Sequence, residues 1–408
     1  MLKQGTGEGF FQKLMVLYVI VWSISPPLEI DMVYRLLALG CVGIWALAAM
    51  KRGLYVERVH VYAAFFAVMV VVITYFQTES INGILQQIAI YILVVCFWIN
   101  CFYRNRWDEL SGIISIVLIL LIVFNWKTGT VLLEDPTIAR RLVRADESVY
   151  GYLRQGVGGY SLIYPQVCIF PAFLAWTLRA LKHNKKCFAL GLIWLFSYIR
   201  CISNAGYSIA IFTSIVGAVI LLAFKGRRVW TSIVLAVLIF VVGLWMIINV
   251  DSFREMLLNT FDGTAVAMKI NDLVASSQEG AAEGSIYVRI EAYKGSLNTI
   301  LNYPVIGSLW MASGSGHSAL LDMFAKYGIW GGSIYAYMLF HVPVRYKGKL
   351  PVRKVYSISN AVIVSILFVV VLDSFTYSFM PMILLVLPLL YEDIIKWEKL
   401  RDESVMDR

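Results

Sequence analysis

Charge is scarce in this chain: Asp, Glu, Lys and Arg make up 15% of its 408 residues, where an ordinary soluble domain carries about 25%. Histidine is scarcer still, at four residues, and no His/Cys cluster has metal-ligand spacing. The six cysteines, Cys41, Cys96, Cys101, Cys168, Cys187 and Cys201, all fall in or beside apolar runs, so no disulfide framework is implied. There is no internal repeat, Pro-rich linker or low-complexity tract, which leaves one domain over 1–408. No cleavable signal pattern is present either: the first apolar run lacks a small-residue cleavage site and ends at Pro26-Pro27.

Apolar residues are what the chain has in excess, 60% of the total with a mean hydropathy of +0.74. No soluble core of this length could bury so much, so the expected class is an all-α polytopic membrane protein. A spanning helix needs about 20 mainly apolar residues. About twelve candidates result: 10–24, 30–50, 59–76, 81–102, 110–126, 160–181, 187–202, 207–224, 229–250, 319–342, 357–375 and 379–397. Every second connection is basic, at Lys51, Arg52 and Arg58, at Arg104 and Arg106, at Lys182, Lys185 and Lys186, at Lys225, Arg227 and Arg228, and from Arg345 to Lys354. Cytoplasmic loops carry such an excess, so both termini are expected in the cytoplasm. The net charge of +9 comes mostly from these connections, an argument for membrane orientation and against nucleic acid.

Two connections are long, 127–159 and 251–318, and both fall on the predicted outer side. The first holds Arg140, Arg141 and Arg144, then Asp146 and Glu147, then Arg154-Gln155-Gly156-Val157-Gly158-Gly159-Tyr160. Arginines outside break the charge pattern. They either bind an anion or pair with Asp146 and Glu147 along a solvated helix. The second is acidic through Asp262, Asp272, Glu279 and Glu283, and then Ile286, Ile290, Tyr293 and Leu297 recur at helical spacing. That spacing predicts a helix laid against the membrane surface, with Arg289 one turn from Tyr293. A Gly/Ser-rich turn follows, Gly307 and then Ser313-Gly314-Ser315-Gly316, and delivers His317 to the next span. Glycines allow close backbone approach to a ligand.

These stretches resemble the O-antigen polymerase and O-antigen ligase superfamily, bacterial multi-span enzymes acting on polyprenyl-diphosphate-linked glycans. Arg289 with Tyr293, Pro304 with Gly307, and Gly316-His317-Ser318 with Asp322 are similar to that family's Arg-x-x-x-aromatic, Pro-x-x-Gly and Gly-His-Ser-x-hydrophobic-x-Asp sequence; Gly328, Gly331 and Gly332 follow. Arg154-Gln155-Gly156 with Gly158-Gly159-Tyr160 is similar to the glycine-rich end of its first large outer loop. Arg140 and Gly151 fit a loose Arg-x(10)-Gly pattern of its polymerases. Where members often have Ser-Arg after the seventh span, this chain has Ser203-Asn204, with Arg200 one turn earlier. The resemblance covers most of the chain in topology and much less of it in motif.

The resemblance implies a GT-C-like fold and a glycosyltransferase using no cofactor, at the outer face of a bacterial cytoplasmic membrane. Its donor and acceptor would be polyprenyl-diphosphate-linked repeat units, joined by a polysaccharide polymerase, or a ligase would move the glycan to another acceptor. A flippase and a chain-length regulator are the implied partners. Arginine binds phosphate oxygens bidentately at any working pH, which selects Arg289 and Arg154, then Arg200, Arg140 and Arg141. Histidine accepts a proton near neutrality, which selects His317. The two outer loops contain no Asp-x-Asp, so no metal is expected. Glu29 and Asp31 are the reserve for an acidic base or metal ligand, unless Asp31 pairs with Arg35 and caps the second span. Asp322, with Lys326 as its expected partner, is a secondary candidate. Tyr160, Tyr287, Tyr293 and Trp310 either stack on sugars or belong to the interfacial aromatic belt. A transporter of the same lipid-linked glycan is the competing class; it would place charged or broken helices near the bilayer midplane and show paired halves, whereas here polar residues concentrate in two unequal outer loops and no halves are apparent.

Overall fold

The computed structural model describes residues 6–50, 57–78, 88–103, 106–143, 147–223, 228–262, 266–267, 270–271, 273–274, 285–308, 316–349, 353–373 and 379–406. Among them the chain is helical and contains no strand. The helices that matter below are α1 (Thr6–Ile24), α2 (Pro26–Ile30), α3 (Met32–Met50), α4 (Arg58–Thr78), α5 (Ile88–Phe102), α6 (Ile113–Glu134), α7 (Thr137–Val143), α8 (Tyr150–Arg154), α9 (Tyr160–His183), α10 (Lys185–Ala205), α11 (Ser208–Ala223), α12 (Val229–Asn249), α13 (Asp251–Thr260), α14 (Ser285–Asn302), α15 (Ala319–Lys349), α16 (Arg353–Leu372) and α17 (Leu387–Met406). Every apolar run of the sequence overlaps a helix. Five helices among the described residues are long and apolar enough to cross a membrane: Arg58–Phe76, Ile113–Glu134, Tyr160–His183, Lys185–Ala205 and Val229–Asn249.

The most apolar of these helices is the least buried. The most apolar of the five, Val229–Asn249, has a mean hydropathy of 2.8 and only 11% of it is buried, whereas Tyr160–His183 has 1.4 and is 83% buried. In water the most apolar helix would be innermost. Its exposure here means that hydrocarbon surrounds the bundle, so the protein is membrane-embedded.

At the centre, α9 packs on α10, α11, α16 and α17. It carries Pro165 and Pro171, and α11 accommodates the second at Gly217, where an added Cβ would lie 2.9 Å from the Pro171 ring. Buried amides here satisfy one another: Asn125 and Gln166 exchange two 2.9 Å hydrogen bonds, and Trp194 Nε1 donates to Gln166 Oε1 at 3.0 Å, tying α6, α9 and α10 together. Helix termini follow their caps. Asn184 accepts from the N–H groups of Lys186 and Cys187 at the start of α10, and Gly206 (φ 62) ends it. Met382–Val386 forms a buried π-helical stretch, and Asn100 Nδ2 donates to Leu384 O at 2.5 Å from α5.

The helix ends sort into two sets. Arg179 meets Glu398 (2.8 Å), Trp176 meets Asp393 (3.0 Å), Tyr346 meets Glu392 (2.9 Å), Arg345 meets Glu57 (3.4 Å) and Tyr103 meets Gln12 (3.0 Å). All of these lie at ends that loop charge assigns to one side. The opposite ends, near Tyr160, Tyr207, Ala319 and Asp373, meet one another instead. The face of α14 that packs on protein carries Arg289, Tyr293 and Ser296, while Ile290 and Leu297 of the apolar stripe are exposed. Those three side chains bond to α16 and α15, and they turn α14 alongside α15.

Candidate functional site

The last turn of α16 leaves its terminal carbonyls without intrahelical partners and partially negative. Two side chains of α14, four residues apart and so on one face, take up that charge. Arg289 Nη1 donates to Leu372 O at 2.8 Å, and the Tyr293 hydroxyl lies 3.2 Å from Leu372 O and 3.4 Å from His317 O. Arg289, Tyr293 and the backbone of His317 therefore converge, although 24 residues separate Tyr293 from His317.

Next in the chain is Asp373, a carboxylate only 2% exposed. Its backbone carbonyl accepts Ala319 N–H at 3.1 Å, which joins α16 to the start of α15. Its side chain accepts the Tyr164 hydroxyl at 2.5 Å. A buried carboxylate needs a cation or several donors, and the Arg289 charge attracts it. Burial works against the Arg289 charge, but the Asp373 carboxylate and the oxygens of Tyr293 and Tyr160 outweigh it and hold the guanidinium pKa above its ordinary value. The Tyr293 phenol is pushed up by burial against the pull of Arg289, so it stays a neutral donor.

A cluster of tyrosines closes this site. Tyr160 packs edge-on against Tyr164 (4.8 Å) and Tyr207 (4.9 Å), Tyr164 stacks with Tyr207 (5.9 Å), and Tyr160 also interacts with Arg289. Tyr207 donates to Ala139 O at 3.1 Å, which seats α7 on the cluster. The glycines before Tyr160 serve close packing: Gly158 N–H donates to buried Thr128 Oγ1 at 2.8 Å, and a Cβ at Gly156 (φ 89) would come within 3.2 Å of Phe124.

His317 sits just before Ser318, whose Oγ accepts Leu321 N–H at 3.3 Å and so caps α15. Asp322 holds that turn in place, accepting Gly316 N–H at 2.9 Å and Ser296 Oγ at 2.8 Å. It fastens the His317 turn to α14. Lys326, its expected partner, lies instead over the Tyr327 ring at 5.2 Å.

The other expected residues are elsewhere. Arg200 turns to α6, donating to Trp126 O (3.1 Å) and Thr130 Oγ1 (3.0 Å) and covering the Trp126 ring at 4.4 Å. Nearby Gly129 lets α6 and α10 touch, and Asn204 bonds its carbonyl at 2.7 Å. Arg154 is exposed at the end of α8, a helix that packs on α2. Arg141 donates to Ser148 Oγ. Asp31 caps α3 through Val33 N–H at 2.9 Å. Arg144, Asp146, Trp310 and Ser313 to Ser315 lie outside the described residues, as do the side chains of Glu29, Arg140, Glu147 and Tyr287. No group of three metal-binding side chains gathers among the described residues. A cavity of about 360 Å³ bordered by Trp107, Asp108, Glu392, Asp393 and Lys396 lies at the opposite end of the bundle and shares no residue with this site.

Sequence reasoning missed Asp373, Tyr164 and Tyr207. Asp373 was findable: it is the only acidic residue in 357–375, and a lone carboxylate in an apolar span is costly enough to imply a use. Chemically, the site offers a guanidinium, two neutral phenols, a buried carboxylate and an imidazole on the adjoining turn. Comparison of the chain with protein-family models and with curated proteins finds no match in either.

Proposed function

We propose that the chain is a polysaccharide polymerase: a GT-C-like glycosyltransferase of about twelve spans, both termini cytoplasmic, that joins polyprenyl-diphosphate-linked repeat units at the outer face of a bacterial cytoplasmic membrane. The observation that carries this reading is the meeting of Arg289, Tyr293 and Asp373 with the His317 turn at one set of helix ends. A departing diphosphate gains negative charge in the transition state, and a fixed guanidinium acts there without reorganising. Arg289 binds that group, while Tyr293 and Tyr160 supply neutral hydroxyls. His317 accepts the proton of the attacking sugar hydroxyl. Asp373 holds the arginine in place between turnovers. A ligase acting on another acceptor would use the same donor contacts.

One observation favours a second reading, transport of the same lipid-linked glycan. A membrane-length helix, α15, is broken at Gly328 (φ 64, ψ −167) beside Lys326, and transporters bind cargo at such breaks. Mass spectrometry of lipid-linked glycans in a strain deleted for the gene separates the three. Accumulated single repeats at the outer face mean polymerase, full-length chains mean ligase, and repeats held at the inner face mean transporter.

A further inference from the structure

The chain from Arg289 to Ser308 descends beside α15 in step with it. Tyr293 is level with His317, Ser296 bonds Asp322, Ser308 N–H donates to Ala325 O at 2.9 Å, and Ile329 N–H donates to Pro304 O at 2.8 Å. In an unbroken helix Ile329 N–H would bond Ala325 O. The break at Gly328 frees both groups, and the turn after α14 takes each of them. Gly307 (φ 73) and Gly328 (φ 64) make this approach possible, since a Cβ would lie 2.3 Å from Lys326 O at the first and 2.2 Å from Val305 O at the second.

Two measures give the depth of that turn. Ala319 bonds the backbone of Asp373 at the site, and the turn contacts α15 six to ten residues further on, about 9–15 Å at 1.5 Å per residue. Independently, Tyr327 packs on Phe66 at 5.8 Å, and Phe66 is near the middle of the span Arg58–Phe76. The hydrocarbon core is about 30 Å thick, so the turn is close to its midplane. Gly316 and His317 are back at the level of Asp322 and Tyr293.

Composition follows the same gradient. Arg289, Glu291 and Lys294 occupy the upper part of α14, while no charged residue occurs from Gly295 to Ser308. At the bottom, Leu301 (76%), Val305 (54%), Ile306 (59%), Ile329 (57%) and Trp330 (64%) are exposed. We infer that 285–308 dips into the bilayer from the side of the site and that its apolar tip, around Leu301, Val305 and Ile306, faces the acyl chains. Non-helical backbone at this depth is tolerated only where protein satisfies it, and the Gly307–Gly328 contact does so. The chemistry at Arg289 is thereby tethered to a lipid-immersed anchor.

Spin-label collision rates in bilayer nanodiscs test this, using full-length chain with the native cysteines replaced and single cysteines at Leu301, Ile306, Glu291 and Val234. Labels at Leu301→Cys and Ile306→Cys should collide severalfold more with dissolved oxygen than with a water-soluble nickel chelate, as at Val234→Cys on α12, while Glu291→Cys shows the reverse. The inference is overturned if the chelate reaches Leu301→Cys and Ile306→Cys as readily as Glu291→Cys, which would mean a water-filled cavity. Spin–spin broadening between chains at these positions would also overturn it, because a second copy would then cover the patch. Val234→Cys reports separately on whether the bundle sits in lipid.

Discussion

Replacing Arg289 with alanine should have two separable effects. The first is structural: Asp373, 2% exposed, loses the cation that attracts it and keeps the 2.5 Å bond from Tyr164. Breaking a fully buried pair costs about 3–5 kcal/mol. Arg289 is only part-buried, and screening by solvent reduces the expected loss to about 1–2 kcal/mol. The second effect is on the reaction, where removing a preorganised contact to developing charge costs about 10²- to 10³-fold in rate. Asp373→Asn in the same chain separates them, because a neutral amide needs no cation. The double variant should regain most of the thermal stability in nanodiscs and still fail to extend chains. Arg289→Lys should be stable but slow, since lysine keeps the charge and loses the bidentate fork. Melting followed by intrinsic fluorescence and chain length followed on gels are the two measurements. If Arg289→Ala with Asp373→Asn extends chains normally, Arg289 serves only to balance Asp373 and the diphosphate-binding role is wrong. If Arg289→Ala alone melts with the unmodified protein, the electrostatic coupling is wrong.

His317→Ala should lower chain extension by about 10²-fold or more with normal membrane levels; wild-type polymer length and amount would refute its role. Gly307→Ala forces an alanine into φ 73 against Lys326 O, and with about 1–2 kcal/mol for the backbone and about 1 kcal/mol for each of two lost hydrogen bonds, the turn should detach; unchanged hydrogen exchange at the Ser308 and Ile329 amides would contradict this. Arg200→Ala should lower the melting temperature by loosening α6 from α10 yet leave chain extension intact, so a selective loss of activity at unchanged stability would return Arg200 to the site.

What the sequence made legible is what repeats locally. Apolar runs mark the helices because each run alone must match the bilayer, and alternating loop charge sorts their ends into two sets because each connection is read by itself. The i, i+4 spacing of Arg289 and Tyr293 puts both on one face of α14 whatever that face touches. What was not legible depends on partners far along the chain: 83 residues separate Arg289 from Leu372, and 209 separate Tyr164 from Asp373. No local pattern distinguishes an arginine turned to a neighbouring helix, as Arg200 is to α6, from one turned to a buried carboxylate.

The two faces of α14 show what periodicity leaves open. Amphipathic spacing assumes that the apolar stripe faces protein or a membrane surface and that the polar face meets water. Here the polar face, Arg289 with Ser296, meets the carbonyl of Leu372 and the carboxylate of Asp322. Its apolar side is left to lipid. In a bilayer the preference inverts, because an apolar side chain gains nothing by leaving hydrocarbon for protein, whereas a polar one gains a partner it can find only inside the bundle. A loop helix that carries charge at its top and none from Gly295 onward is therefore better read along its axis than around it. The loss of charge along the segment predicts descent, and the glycines at Gly307 and Gly328 mark where the descending backbone can dock.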